Sequence, residues 1–213
     1  MMTNEAVLIL TIGAFLSAAL AILFHYREPR NLVYIFKPLA MVFIIAIALR
    51  ENILPATHYQ RAIILGLLFS LAGDVFLIKP ERFVHGLVSF LIAHLFYIAA
   101  FVLFVPSGWL FVSALPVAAS FVLILRVLWS HLGQMRLPVM IYTFIIALMG
   151  WQTINRWFVI GDVKSTFAVL GALSFMASDS VLAINKFRQN FHLAQLLLLT
   201  TYFVAQWLIA LSV

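Results

Sequence analysis

The sequence predicts an all-α, polytopic membrane protein, a single integral membrane domain over residues 1–213 that crosses the bilayer with eight helices. Three observations predict it. Hydrophobic residues make up 65% of the chain and charged residues 9%, against about 25% charged in an average soluble domain. The mean hydropathy is +1.13. The apolar residues fall into eight runs, each near the ~20 residues a spanning helix needs.

The runs lie at about 6–24, 32–49, 61–78, 84–104, 109–129, 138–158, 165–185 and 192–212. Helix breakers and charges separate them: "HYREPRN", "RENILPATHYQR", "KPER", "VPSG", "SHLGQMRLP", "IGDVKS" and "NKFRQN". The first run follows "MMTNEA", with no basic stretch before it and no small-residue cleavage site after it, so it reads as a retained helix. Tryptophans fall mostly toward helix ends, Trp109 and Trp129 among them, as in an interfacial belt. The chain has no cysteine, which excludes disulfides and thiolate metal sites.

The net charge of +6 reads as topology rather than as a nucleic-acid surface. Arg27, Arg30, Lys79, Arg82, Arg126, Arg136, Lys186 and Arg188 flank one set of connections; Arg50, Arg61, Arg156 and Lys164 flank the other. Eight basic residues against four place the first set in the cytoplasm and both termini outside. Length and the lack of a targeting signal lead to an expectation of a bacterial inner membrane. No protein partner is implied.

Shifting the chain against itself by 105 residues aligns Gly66 with Gly171, Asp74 with Asp179, Leu77 with Leu182 and Tyr97 with Tyr202, and sets Lys37 opposite Tyr142. The shift equals four helices, so the expectation is two parallel four-helix repeats. Each aspartate follows small residues at helical spacing, Gly66, Ser70 and Gly73 or Gly171, Ser174 and Ser178. Such stripes let helices approach closely in lipid.

Five of the seven acidic residues lie at termini or turns; Asp74 and Asp179 lie within apolar runs, at matching depth near the basic end. An aspartate at a helix centre costs roughly 2.5 to 3.5 kcal/mol to insert, so such residues face the bundle interior or a wet cavity. Lys37 sits at the same level, either snorkelling to headgroups, pairing with an aspartate or holding a lipid phosphate. His94 and Tyr97, three apart, share one helix face, as do Tyr202 and Gln206, four apart. A lone tyrosine is more often an interfacial anchor or a satisfied core residue, and a buried histidine often makes only a structural hydrogen bond. There is no HExxH and no GxSxG, so neither a metal nor a cofactor is expected. A zinc site from Asp74, His94 and Asp179 is the metal reading that remains.

"KPL", "SLAGDVFL", "GLVSFLIAHLFYIAAF", "GALSFMASDSVLAINKF" and "TYFVAQWLI", in this order over about residues 32–210, resemble the YhhN-type lysoplasmalogenase family. The resemblance implies a membrane hydrolase that cleaves the vinyl ether bond of lysoplasmalogens. The products would be a fatty aldehyde and glycerophosphoethanolamine or glycerophosphocholine, so a lysophospholipid is the expected substrate and membrane lipids its surroundings. The family's motif positions fall on Lys37, Asp74, His94, Tyr97, Tyr142, Asp179, Tyr202 and Gln206. The residues suit that chemistry. A vinyl ether is opened by protonation on carbon, giving an oxocarbenium ion that water captures. Two carboxylates divide such acid and base work in glycosidases. Asp74 and Asp179 are the expected catalytic pair, with Lys37, His94, Tyr97, Tyr142, Tyr202 and Gln206 binding substrate and water. Repeated halves with intramembrane aspartates also fit a proton-coupled small-molecule or lipid transporter. A receptor-like or structural protein without chemistry is the third reading.

Overall fold

A computed structural model describes residues 4–50, 57–103 and 110–213. Among these residues there is no strand, and eight helices are long and apolar enough to cross a membrane. They are α1 (Asn4–Tyr26), α2 (Val33–Ala48), α3 (His58–Leu77), α4 (Phe83–Leu103), α5 (Ala114–Leu128), α6 (Arg136–Ile160), α7 (Val163–Ala183) and α8 (Ala194–Leu211). The polytopic expectation is met, with boundaries within a few residues of those read from the apolar runs. Half of the "RENILPATHYQR" connection, the "VPSG" turn and Trp109 lie outside the described residues.

Two boundaries differ for local reasons. The fifth helix begins at Ala114, after a 3-10 turn over Phe111–Ser113, and so is shorter than its apolar run. Pro116 falls within its first turn, where no intrahelical N–H is needed. The seventh helix does not stop at Ala183 but widens into a π-helical turn over Ile184–Arg188, closed by Gln189 N–H donating to the Ile184 carbonyl at 3.0 Å.

The turn between α6 and α7 shows how the breakers work. Gly161 ends α6 in the left-handed region, φ 66°, and its N–H donates to the Trp157 carbonyl at 2.8 Å. Asp162 then opens α7 as its N-cap, accepting from the Ser165 N–H at 2.6 Å. That amide holds the Asp162 carboxyl below the usual carboxylate range.

The bundle is arranged inside out relative to a soluble protein. Leu8, Ile9, Ile12 and Leu16 of α1 are exposed, while Lys37, Asp74, His94 and Gln206 are buried. Helix α3 packs closely on α4, and α7 on α8. A Cβ on Gly66 would overlap the Tyr97 ring, and one on Gly171 would lie 3.0 Å from the Ala205 carbonyl. The small-residue stripes therefore serve as seams, as expected. Helix α2 touches α3 and α8, and α6 touches α7 and α4. Helix α5 is the most loosely held: only Val117 and Leu128 are buried along it, and it leans mainly on α6 and the π turn.

Candidate functional site

Asp74 lies near the end of α3, three residues before Leu77. Its Oδ1 is 3.0 Å from Lys37 Nζ of α2, and its Oδ2 accepts a 2.6 Å hydrogen bond from the Tyr202 hydroxyl of α8. Lys37 and Asp74 are 8% and 1% exposed. Both carboxylate oxygens are thus engaged inside protein, and Lys37 neutralises the charge. Lys37, which could also snorkel or hold a phosphate, forms an ion pair with Asp74 in this structure. The Tyr202 ring stands edge-on to Phe90 and Phe175, with centroids 5.8 and 5.6 Å away.

Asp179 lies near the end of α7 in different company. Its Oδ2 accepts from the Tyr142 hydroxyl of α6 at 2.7 Å, and His94 Nε2 of α4 stands 3.9 Å from the same oxygen. Among the described residues Oδ1 takes no hydrogen bond, and no cation pairs with the group at close range. The His94 ring is fully buried, edge-on to Phe175 at 4.6 Å and to Tyr142 at 5.6 Å. Both its nitrogens lack a hydrogen-bond partner among the described residues.

A third group links the two. The Tyr97 hydroxyl donates to Gln206 Oε1 at 2.8 Å and lies 3.4 Å from Ser70 Oγ. The ring of Phe175, itself fully buried, contacts those of His94 beside Asp179, of Tyr97 and of Tyr202 beside Asp74. All eight residues singled out in the sequence gather in this layer. Phe175 was not singled out. One phenylalanine among twenty carries no compositional signal.

The two centres differ in access. A cavity of about 500 Å³ lies between α4, α5, α6 and α7, lined by Phe83, Val117, Tyr142, Met176, Asp179 and Phe187 among others. Among the described residues Asp179 is the only charged one on its wall; Asp74 and Lys37 do not line it. The cavity is apolar apart from Asp179, the Tyr142 hydroxyl and a few hydroxyls such as Thr143 and Ser180, which are bonded back to their own helices. It can take a hydrocarbon chain and present one end of it to a carboxyl group. Among the described residues no three His, Asp or Glu side chains come together as metal ligands, and Asp74 stands apart from the His94–Asp179 pair.

Fold and site together define a polytopic helical membrane protein with two carboxylate centres, one buried at Asp74 and one partly buried at Asp179 and open to an apolar chamber. The YhhN family model matches residues 32–213, and the chain belongs to the YhhN family. It is 38% identical over 159 residues to the human protein named lysoplasmalogenase TMEM86A, an alignment covering 70% of this chain and 64% of that one. The pig protein named lysoplasmalogenase TMEM86B is 37% identical over 147 residues, 69% of this chain and 61% of its own. The Escherichia coli O157:H7 protein named uncharacterized membrane protein YhhN is 25% identical over 202 residues, covering 94% of this chain and 96% of its own. The chain thus spans less than two thirds of the mammalian relatives' length. No solved structure matches it.

Proposed function

We propose that this protein hydrolyses the vinyl ether bond of lysoplasmalogens, with Asp179 as the proton donor. The observation that carries the assignment is the position of Asp179, the single charged group among the described residues on a chamber of about 500 Å³ shaped for an alkenyl chain. The names of the relatives supply the substrate class.

The reaction asks little of the protein beyond a placed proton and a dry wall. The Asp179 carboxyl passes its proton to the outer carbon of the double bond, and the ether oxygen shares the resulting positive charge. The carboxylate left behind faces that cation and takes a proton from the water that adds to it, which restores the acid. The hemiacetal then breaks its carbon–oxygen bond, releasing the aldehyde and the glycerophospho-alcohol. Tyr142 holds one oxygen of Asp179 and so aims the other. His94, with an unengaged Nε2 beside Asp179, receives the water. Asp74 takes the second share of the work in a different form. Locked to Lys37 and Tyr202, it fixes α2, α3 and α8 behind Phe175 and acts as a positioning group.

The two centres are counterparts in two parallel four-helix repeats. Support comes from contacts at corresponding positions: Lys37 meets Asp74 as Tyr142 meets Asp179, one register shift of 105 residues apart. Tyr97 touches Ser70 as Tyr202 touches Phe175, by the same shift.

The test is aldehyde release from lysoplasmalogen by purified protein in detergent. Wild type releases aldehyde and Asp179→Asn does not; turnover that persists in Asp179→Asn removes the mechanism. Wild type that releases none, yet moves the lipid across proteoliposome membranes, is a carrier instead.

A further inference from the structure

The reading above leaves one part of the substrate without a partner. A lysophospholipid carries a phosphate, yet among the described residues Asp179 is the only charged one on the chamber wall. Lys37, the cation at the same depth, is taken by Asp74. The phosphate must therefore meet its cation where the chamber ends.

Toward the basic end of the bundle the chamber is bounded by Phe83, at the start of α4, and Phe187, in the π-helical turn after α7. The two rings meet edge to face, centroids 5.9 Å apart. Lys186, the residue before Phe187, lays its ammonium over the other ring, Nζ 4.7 Å from the Phe83 centroid. Phe83 is thus held by two consecutive residues of one turn, one apolar and facing the chamber, one cationic and exposed. The turn is itself fixed: Gln189 N–H closes it onto the Ile184 carbonyl at 3.0 Å, and Asn185 Oδ1 accepts from the Phe191 N–H at 3.3 Å. Single π-helical turns are often found at functional sites.

The spacing fits. From Asp179 to Lys186 is seven residues, about 10 Å along the helix. In a lysoplasmalogen six bonds separate the ether-bearing vinyl carbon from phosphorus, roughly 7 Å when extended, by the reach of three backbone bonds per residue. With the vinyl ether at Asp179, the phosphate arrives at the mouth, and an ammonium above Phe83 covers the remainder.

We propose that Lys186, seated on Phe83 at the mouth of the Asp179 chamber, binds the phosphate of the lysophospholipid and sets how far its chain enters. The proposal rests on the lysoplasmalogen reading, and its test separates the two. In a non-ionic detergent free of phospholipid, kcat/KM is measured for a lysoplasmenyl phospholipid and for the corresponding phosphate-free alkenylglycerol. Wild type prefers the phosphate-bearing substrate; Lys186→Gln lowers that preference about tenfold, the effect of losing one charge-assisted contact. Lys186→Arg keeps it. Equal preference in wild type and Lys186→Gln overturns the proposal and returns Lys186 to a purely topological role. The second arm needs no turnover. Binding of an alkyl-ether lysophospholipid, which has no vinyl bond to cleave, is compared with binding of the alkylglycerol in the same two proteins. A loss confined to the phosphate-bearing ligand supports the phosphate site even if wild type releases no aldehyde. In that event the hydrolase reading alone falls.

Discussion

Asp74 and Asp179 occupy corresponding places in the chain and have become different things. Asp74 has a cation on one oxygen and a phenol on the other, and neither it nor Lys37 reaches the chamber. Asp179 has a phenol on one oxygen, an unengaged histidine nearby and an apolar chamber in front of it. The residue that separates these fates is the partner on the preceding helix, Lys37 in one case and Tyr142 in the other. A lysine supplies a full compensating charge and makes a closed structural pair. A tyrosine supplies only a hydrogen bond and no compensating charge, which suits the proton donor proposed at Asp179.

The contrast is broken most severely at Asp179. Asp179→Asn keeps the shape and the Tyr142 contact but removes the acid, and should lower kcat by about 10²–10⁴-fold with little change in melting temperature. The opposite pattern is expected at the closed centre. Lys37→Met leaves Asp74 buried without its cation and should destabilise the protein by about 3–5 kcal/mol, read as thermal unfolding in detergent. Combining it with Asp74→Leu should recover much of that loss, because an apolar pair of similar volume has no charge to desolvate. A recovery of stability without recovery of turnover would show that the closed pair also positions the reacting centre.

Smaller effects sharpen the comparison. Tyr142→Phe removes the hydrogen bond that aims Asp179 and should reduce kcat/KM by roughly ten- to a hundredfold while leaving stability nearly intact. If it unfolds the protein instead, the two centres are alike after all. The least change is expected far from both, at Asp162. Its folded carboxyl is held below the ordinary value by the Ser165 amide, so the cap is intact above the unfolded-state value and lost as pH falls through the folded one. Asp162→Ala should cost about 0.5–1 kcal/mol near neutral pH, given the group's exposure. The cost should shrink in acid, as a pH series of melting temperatures would show.

The sequence carried the helices because a spanning segment must be long and apolar, and that is countable. It carried Asp74 and Asp179 for the converse reason, since a carboxylate within such a segment is costly enough to stand out. Lys37, His94, the tyrosines and Gln206 stood out in the same way, and the structure gathers them. The division of labour proposed for the two aspartates did not show. It depends on which neighbour completes each pair across helices, and on a chamber formed by four helices at once. Phe175 and Phe83 escaped notice because an aromatic ring in lipid is ordinary until its neighbours are known. Lys186 was legible only as a topological charge, because the π-helical turn that seats it on Phe83 has no signature in apolar periodicity.

Helix α5, the loosely held wall of the chamber, has a consequence for selectivity. A hydrocarbon tail that slides in beside it trades one oily solvent for another, because lipid tails are as apolar as the leucines they leave or meet. The tail therefore contributes little net affinity, however well it fits. On the proposed reading, discrimination among the lipids of the bilayer falls to Asp179 and the few polar atoms toward the basic end of the chamber, and a handful of residues decides which molecule stays.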